Sequence, residues 1–519
     1  MAQEPTFSIS PSPSHANRLH FCWQDSSLFP PDLPPTLKDL AQKEIKRKDF
    51  SGKPGQCLIL QSPLGCWVIV GLGKAEDIHS GIWLNSLGVG FKALGSVGAK
   101  QISLVPPESP QGWAEGLLRT REDQPIFSGG YGGQGVKGTQ DPLALAWRLA
   151  MEAAWMAEYR FDRYLTRSQP PEKLMLEWVG PGHPDAMAQA LKEAQIVGQA
   201  IWRSRDWIHW PASEADPGFM TQRVEEIAAA TGSKLQVIIG NDLLKQGYGA
   251  MWAVGKGASV PPVLACLIHD PPEKKDLPLL ALVGKGVTFD SGGLEIKTSS
   301  GMQLMRKDMG GAAAVLGAFS SVVQLNLPLR VLCVVGLAEN AVGPGSFKPG
   351  DVLHTKMGLT VEVTSTDAEG RLVLADCFAL AKSFQPHWMV DMATLTGACR
   401  TALGKNIMGL FSNHPGLQQA VISSAQAVAE PVWPLPLWKE YGNQLESNSA
   451  DLANASSSGF GGAITAALFL QEFVGDTPWA HLDCYQWSDG EHPLLPKGGT
   501  ASGIRLVVDL ARRLTQKES

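Results

Sequence analysis

From about residue 230 onward, short apolar runs recur along the chain: KLQVIIG, VLACLIHD, PLLALVGKG, RVLCVVGLA, HWMVDMATL and AHLDCY. Between them lie helix-like segments such as GGAAAVLGAFSSVVQL and RLVLADCFALAKS. Near-continuous apolar runs belong to strands buried on both faces, whereas half-exposed strands alternate. Strands of that kind, alternating with helices, imply a mostly parallel sheet covered by helices on each side. In such sheets ligands bind beyond the carboxyl ends of the strands. The loops that follow the apolar runs are therefore where chemistry is to be sought.

A chain of 519 residues exceeds what one ordinary core holds, so two domains are expected. In the first third, CLILQS, CWVIVGLG and ISLVPP read as strands, DPLALAWRLAMEAAWMAEYRF as a helix, and LMLEWVG as a closing strand. The pattern HPDAMAQALKEAQIVGQAIWRSRDWIHW, ended by Pro211, reads as a helical connector. The expected fold is thus α/β in two domains. A smaller mixed-sheet domain covers residues 1–178, and a larger domain with a mostly parallel central sheet covers 179–519. The stretch FSGGYGGQGVKG, with six glycines from Gly129 to Gly138, reads as a surface loop rather than a phosphate cradle. VGLGK at 70–74 lacks the third glycine of a dinucleotide fingerprint.

With 44% apolar and 18% charged residues the chain is globular, and its net charge of -6 gives no general case for binding nucleic acid or anionic membrane. Its eight cysteines are scattered without a C-x-x-C pair, several inside apolar runs, which argues for a reducing compartment. The amino-terminal MAQEPTFSISPSPSHANRLHF lacks the basic start and apolar core of a secretory signal. Being rich in serine and proline and short of acids, it carries only a weak organelle-targeting character. No apolar stretch approaches the roughly 18 residues of a membrane span. A soluble, cytoplasmic protein is the expectation.

Two loops hold the reactive residue types. The first follows PLLALV and runs from Gly284 through Lys285, Asp290 and Lys297 into MRKDMGGAA, where Asp308 precedes a small-residue helix. The second follows VEV and reads STDAEGRLVLAD, with Asp367, Glu369 and Arg371 at alternate positions. Singly, each has an ordinary explanation: Asp-x-Glu as helix capping, GKG as a tight turn, Lys297 and Arg371 as solvated charges. Jointly, they would place four carboxylates in one small volume, which is strongly unfavourable unless neutralised. Two divalent cations, about 3.5–4 Å apart, are a recurring hydrolytic solution. A carboxylate-rich set suits Zn²⁺, Mn²⁺ or Mg²⁺ rather than a thiolate-type metal site.

VGKGVTFDSGG, MRKDMGGAA, STDAEGRLVLAD and DMATLTGA resemble, in order and spacing, the signature blocks of the leucine aminopeptidase (cytosol aminopeptidase) family. The likeness runs from about Ala194 to Arg513 and includes SNSADLAN, FGGAITAALFLQEFV, WAHLD and KGGTASGIR; the first third matches weakly, mainly through VIVGLGK. The resemblance implies a macro-like amino-terminal domain, a homohexamer, and a dimetal hydrolase that releases amino-terminal residues from peptides in peptide turnover. Carried across by motif, Asp290 and Glu369 bridge two ions, Mn²⁺ or Zn²⁺. Lys285, as a neutral amine, and Asp308 complete one site, and the side chain and carbonyl of Asp367 the other. A metal-bridging hydroxide attacks the scissile carbonyl, Lys297 stabilises the oxyanion, and Arg371 holds a bicarbonate acting as general base.

In this likeness the substrate's free α-amine ligates the metals, which makes the enzyme an exopeptidase. Met305, Thr394, Leu395 and Gly397 would shape the substrate site for leucine or another apolar first residue, with Met305 as ordinary core the open alternative. His481 reads as a hydrogen-bonded structural histidine and not a ligand. The chain departs from the family pattern at Ser365, at HWP 209–211 and at CYQWSDG 484–490, where an edge near the site or a subunit contact would change. Two other functions compete: a two-metal phosphoesterase, and a non-catalytic scaffold or DNA-binding role that the net charge does not favour.

Overall fold

The computed structural model describes residues 3–10, 12–24, 29–30, 32–63, 65–107, 113–118, 141–167, 172–180 and 182–515. The glycine-rich segment 129–138 lies outside the described residues. Among them, a six-stranded sheet runs in the order Thr6–Ser10, Met175–Val179, Gln101–Val105, Asn17–Cys22, Gly65–Gly71, Cys57–Ser62. Its neighbours are parallel except for the terminal hairpin Cys57–Ser62 with Gly65–Gly71.

Two of these strands were not expected. Thr6–Ser10 and Asn17–Cys22 come from the serine- and proline-rich start, and NRLHFC carries Arg18 and His20 within it. Asn17–Cys22 is a strand because it is paired on both sides, by Gly65–Gly71 and Gln101–Val105, which buries Leu19 and Phe21. The helix Pro142–Glu158 begins with Pro142 after Asp141, whose Oδ1 accepts from the Leu143 and Ala144 amides at 2.8 and 3.2 Å. Trp83, Trp147 and Trp178 fill the space between sheet and helices, and the Trp83 indole is satisfied by the Ala146 carbonyl at 3.0 Å.

Helix Pro184–His209 has 26 residues and is therefore ~39 Å long. It packs on Pro142–Glu158 from the first domain and on helix Gly310–Gln324 from the second, so one apolar core continues through both. Pro211 ends it, as the sequence predicts.

The second sheet runs Val432–Pro434, Met408–Ser412, Trp479–Asp483, Trp388–Ala393, Leu279–Asp290, Arg330–Asn340, Val263–His269, Lys234–Ile239. The strands Trp479–Asp483, Trp388–Ala393, Leu279–Asp290 and Arg330–Asn340 are mutually parallel; the flanking pairings are antiparallel except for the outermost one, Val432–Pro434 with Met408–Ser412, which is parallel. Along Leu279–Asp290, Leu280 and Leu282 join the core beneath Gly310–Gln324, while Ala281 and Val283 join that of helix Glu369–Lys382. Both faces are buried, which is why the run reads as continuously apolar.

One expectation is corrected. VEV does not end a strand of the central sheet: Thr360–Glu362 belongs to a separate three-stranded sheet with Val352–His354 and Leu452–Ala453. The edge strands Met408–Ser412 and Val432–Pro434 were also not foreseen.

Candidate active site

The central strand Leu279–Asp290 delivers Lys285 from its middle and Asp290 from its end. Glycines flank Lys285 because its neighbours come too close for side chains. A Cβ at Gly284 would lie 2.6 Å from Ala312 Cα, and one at Gly286 would lie 2.6 Å from the Gly336 carbonyl. Asp308 sits in the 3₁₀ turn Met305–Met309, immediately before helix Gly310–Gln324. Glu369 is the first residue of helix Glu369–Lys382, Arg371 lies in its first turn, and Asp367 is in the loop before it. Thr394 to Gly397 follow the strand Trp388–Ala393. Asp290 and the turn from Thr394 to Gly397 thus lie at the carboxyl ends of parallel strands.

The two loops meet. Asp290, Asp367 and Glu369 each present an oxygen within 4.8 Å of the others. Lys285 Nζ lies 2.7 Å from Asp308 Oδ2 and 3.0 Å from Glu369 Oε1, and donates to the Thr394 carbonyl at 2.9 Å. Lys297 Nζ lies 2.7 Å from Asp290 Oδ2 and also contacts Asp367 Oδ1. The protein's own ammonium groups are thus the counter-charges inside the carboxylate cluster. A cavity of about 390 Å³ opens onto the cluster.

The charges are strained against one another. Burial first, then the neighbouring carboxylates, push the carboxyls of Asp290, Asp367 and Glu369 above their ordinary range. For Lys285 burial works against the charged form, but Asp308, Glu369 and Asp290 outweigh it and raise its pKa; Lys297 is raised likewise, chiefly by Asp290 and Glu369. Glu369 Oε2 is buried with no hydrogen-bond partner among the described residues. A carboxylate set that resists full ionisation, holding an orphaned buried oxygen, has the donor chemistry of a divalent-cation site.

Every residue proposed from the sequence lines this cavity except Arg371: Lys285, Asp290, Lys297, Met305, Asp308, Asp367, Glu369, Thr394, Leu395 and Gly397 all do. Met305 is half-buried on the cavity wall. Arg371 is buried behind it, with Nη1 donating to the Asn454 carbonyl at 2.8 Å, and burial lowers its pKa to about 10 against the pull of Glu369 and Asp483. His481 stands outside the lining, with Nδ1 2.7 Å from Asp391 Oδ1.

Sequence reasoning missed the residues that hold the ligand loops. Asn340 ends its strand and donates Nδ2 to Asp290 Oδ1 at 2.8 Å and to the Thr366 carbonyl at 3.0 Å. Its signal was an amide closing the apolar run RVLCVVGLAEN. Asn454 accepts from the Thr364 and Ser365 amides at 2.8 and 3.1 Å and donates to the Ser365 carbonyl at 2.6 Å, so an amide does stand beside Ser365. Asp483 fixes the Leu395–Thr396 turn, accepting from both amides and from Thr396 Oγ1 at 2.6 Å. Lys307, Arg400 and Tyr485 also line the cavity, and Tyr485 comes from the departing segment 484–490.

The chain has known relatives in both sequence and fold. The family model described as cytosol aminopeptidase family, catalytic domain, matches residues 203–508, and the model for that family's N-terminal domain matches 29–121. The probable cytosol aminopeptidase of Syntrophotalea carbinolica is 35% identical over 501 residues, covering 94% of this chain and 95% of that protein. The solved bottromycin maturation enzyme BotP in complex with Mn superposes with a TM-score of 0.78 at 31% identity, over 96% of this chain and 100% of that one. A tomato leucine aminopeptidase mutant gives 0.84 at 27% identity, over 99% and 97%.

Proposed function

This chain belongs to the cytosol aminopeptidase family and is a metallo-aminopeptidase, and on that premise we propose that it releases leucine or another apolar residue from the amino terminus of peptides, in peptide turnover. The observation that carries the reading is the meeting of Lys285, Asp290, Asp308, Asp367 and Glu369 at one cavity. We assign these five as the residues that hold two divalent ions, Mn²⁺ or Zn²⁺. When bound, the ions supply Lewis-acid polarisation of the scissile carbonyl and lower the pKa of water enough to give a nucleophile at neutral pH.

The chain's own groups would do the rest. A ligand role for Lys285 requires its neutral form, which adjacent divalent charge favours over the ammonium. Lys297, released from Asp290 and Asp367 as ions take over their charge, would donate to the oxyanion developing on the substrate carbonyl. Asp483 holds the Leu395–Thr396 turn in position, and Met305, Thr394, Leu395 and Gly397 offer the wall for the first residue. Arg371 is given a bicarbonate to hold. Its support is a buried guanidinium whose Nε lacks a partner among the described residues.

The division at residues 178 and 179 is part of the proposal, as are assembly into a homohexamer and a cytoplasmic location. Exposed Phe460, Ile296 and Trp438 are the kind of apolar surface a subunit contact covers. No helix among the described residues is long and apolar enough to cross a membrane.

The test is hydrolysis of leucine p-nitroanilide by metal-stripped protein, then after restoring Mn²⁺ or Zn²⁺, beside the N-acetylated substrate, with bound metal counted per subunit. Cleavage of the free-amine substrate alone, regained with two ions per subunit, is expected. Equal cleavage of the acetylated substrate would overturn the exopeptidase reading, and phosphate-ester cleavage in its place would favour the phosphoesterase.

A further inference from the structure

The cavity holds three lysines, and they are not alike. Lys285 and Lys297 each face two carboxylates. Lys307 is only 5% exposed, yet no described side chain or carbonyl accepts a hydrogen bond from its Nζ and no carboxylate pairs with it. What its Nζ meets is the face of the Tyr485 ring, 4.5 Å from the centroid. Arg400 approaches the same ring, its guanidinium 5.2 Å from the centroid, and Nη1 donates to the Tyr485 hydroxyl at 3.4 Å. All three line the substrate cavity alongside Met305, Thr394, Leu395 and Gly397.

The cavity is therefore polarised, with carboxylates around Asp290 and Glu369 and two cations around Tyr485. The Lys307 side chain is largely desolvated while its Nζ opens onto the cavity, and an aromatic face offsets only part of the lost hydration. An anion arriving with the substrate would offset the rest. The Arg400 guanidinium offers planar, paired donors beside the same ring, so the anion preference does not depend on Lys307 alone. We propose that Lys307 and Arg400, spaced by Tyr485, form an anion-recognising subsite that takes the side-chain carboxylate of an aspartyl or glutamyl first residue. The inference rests on the aminopeptidase reading and extends its substrate class. The apolar wall suits the methylenes of leucine and glutamate alike, and the cationic end adds recognition of the carboxylate.

The first arm compares glutamyl and glutaminyl p-nitroanilides, matched in shape and differing in charge, on metal-loaded wild type, Lys307→Met and Arg400→Gln. The wild type should favour glutamyl in kcat/KM by about tenfold, equivalent to ~1.4 kcal/mol. That ratio should fall to one or below in Lys307→Met and drop partly in Arg400→Gln. Because it is taken within one protein, a loss of folded enzyme lowers both rates and leaves it unchanged. The second arm measures Tm with free glutamate or glutamine added. A larger rise with glutamate that disappears in Lys307→Met supports the subsite even if no substrate is turned over, and that failure would fall on the aminopeptidase reading instead. The third arm compares Leu-Gly with its C-terminal amide, since a dipeptide's own carboxylate could occupy the same cations. A Lys307-dependent preference for the free carboxylate, without glutamyl preference, would overturn the side-chain assignment. No glutamyl preference in either rate or Tm would overturn it as well.

Discussion

Substituting Gly370→Ala tests how closely the two loops are fitted together. A Cβ at this position would lie 2.5 Å from Lys285 Cε, 2.7 Å from Nζ and 2.8 Å from Cδ. Ordinary carbon contacts need about 3.5 Å or more, so the lysine must retreat by roughly 1 Å. It has little freedom to do so, because Nζ is held by Asp308 Oδ2 at 2.7 Å, Glu369 Oε1 at 3.0 Å and the Thr394 carbonyl at 2.9 Å. Overpacking costs about 1–3 kcal/mol and a disturbed charged hydrogen bond about 1.5–3 kcal/mol. Against this, alanine is favoured over glycine within a helix by ~1 kcal/mol. Net destabilisation of about 1.5–5 kcal/mol is expected. The effect on catalysis is expected to be larger, because a 1 Å misplacement costs on the order of 100-fold in rate. The assays are urea unfolding, metal content per subunit and kcat/KM on leucine p-nitroanilide. Gly95→Ala is the control: it lies in helix Ser80–Ser96 with nothing within 4 Å of the added carbon, and should gain stability slightly with activity intact. Gly370→Ala with wild-type metal content and kcat/KM would refute the close fit of Lys285 over this glycine.

Three further outcomes follow from the same structure. Gly498 has φ +131° and a Cβ there would lie 1.8 Å from His209 Nε2, so Gly498→Ala should cost at least about 3 kcal/mol, read as a lowered Tm; an unchanged Tm would show that the contact is looser than drawn. Burial lowers the His209 pKa from 6.5 to about 4, so between those values the unfolded chain binds a proton that the folded one does not. Stability is then full above about pH 6.5 and falls by about 3 kcal/mol as pH drops toward 4; His209→Phe should flatten that limb in urea unfolding at pH 7 and 5, and an unchanged slope would refute it. Asn454→Ala removes a fully buried amide that ties down residues 364 and 365, and should cost about 2–4 kcal/mol and weaken metal binding at least tenfold by competitive titration; unchanged affinity would mean that the Asp367 loop keeps its place without it.

Much of the site was legible because its residues keep local company. Asp290 closes a long apolar run, Asp308 precedes a small-residue helix, and Asp367 and Glu369 stand at the next helix start, so pattern and motif locate each one. The residues that support them were not legible. Asn340 reaches Asp290 across 50 positions and Asn454 reaches Ser365 across 89, and nothing near either in sequence marks the partner. The strand Asn17–Cys22 was hidden for a related reason: its arginine and histidine break the apolar run, and only pairing on both sides makes it a strand.

By itself the amino-acid order determined the α/β alternation, the central apolar strands and the identity of the carboxylate and lysine set, since these follow from periodicity and from residue type at short range. The tertiary structure alone decided that the Asp367–Glu369 loop arrives from a three-stranded sheet outside the central one, that Lys285 passes over Gly370, that Arg371 turns to Asn454 instead of the cavity, and that Lys307 faces the Tyr485 ring. Each of those is a contact between segments dozens of residues apart or more. Their energies depend on distance and burial in space, which no local pattern records.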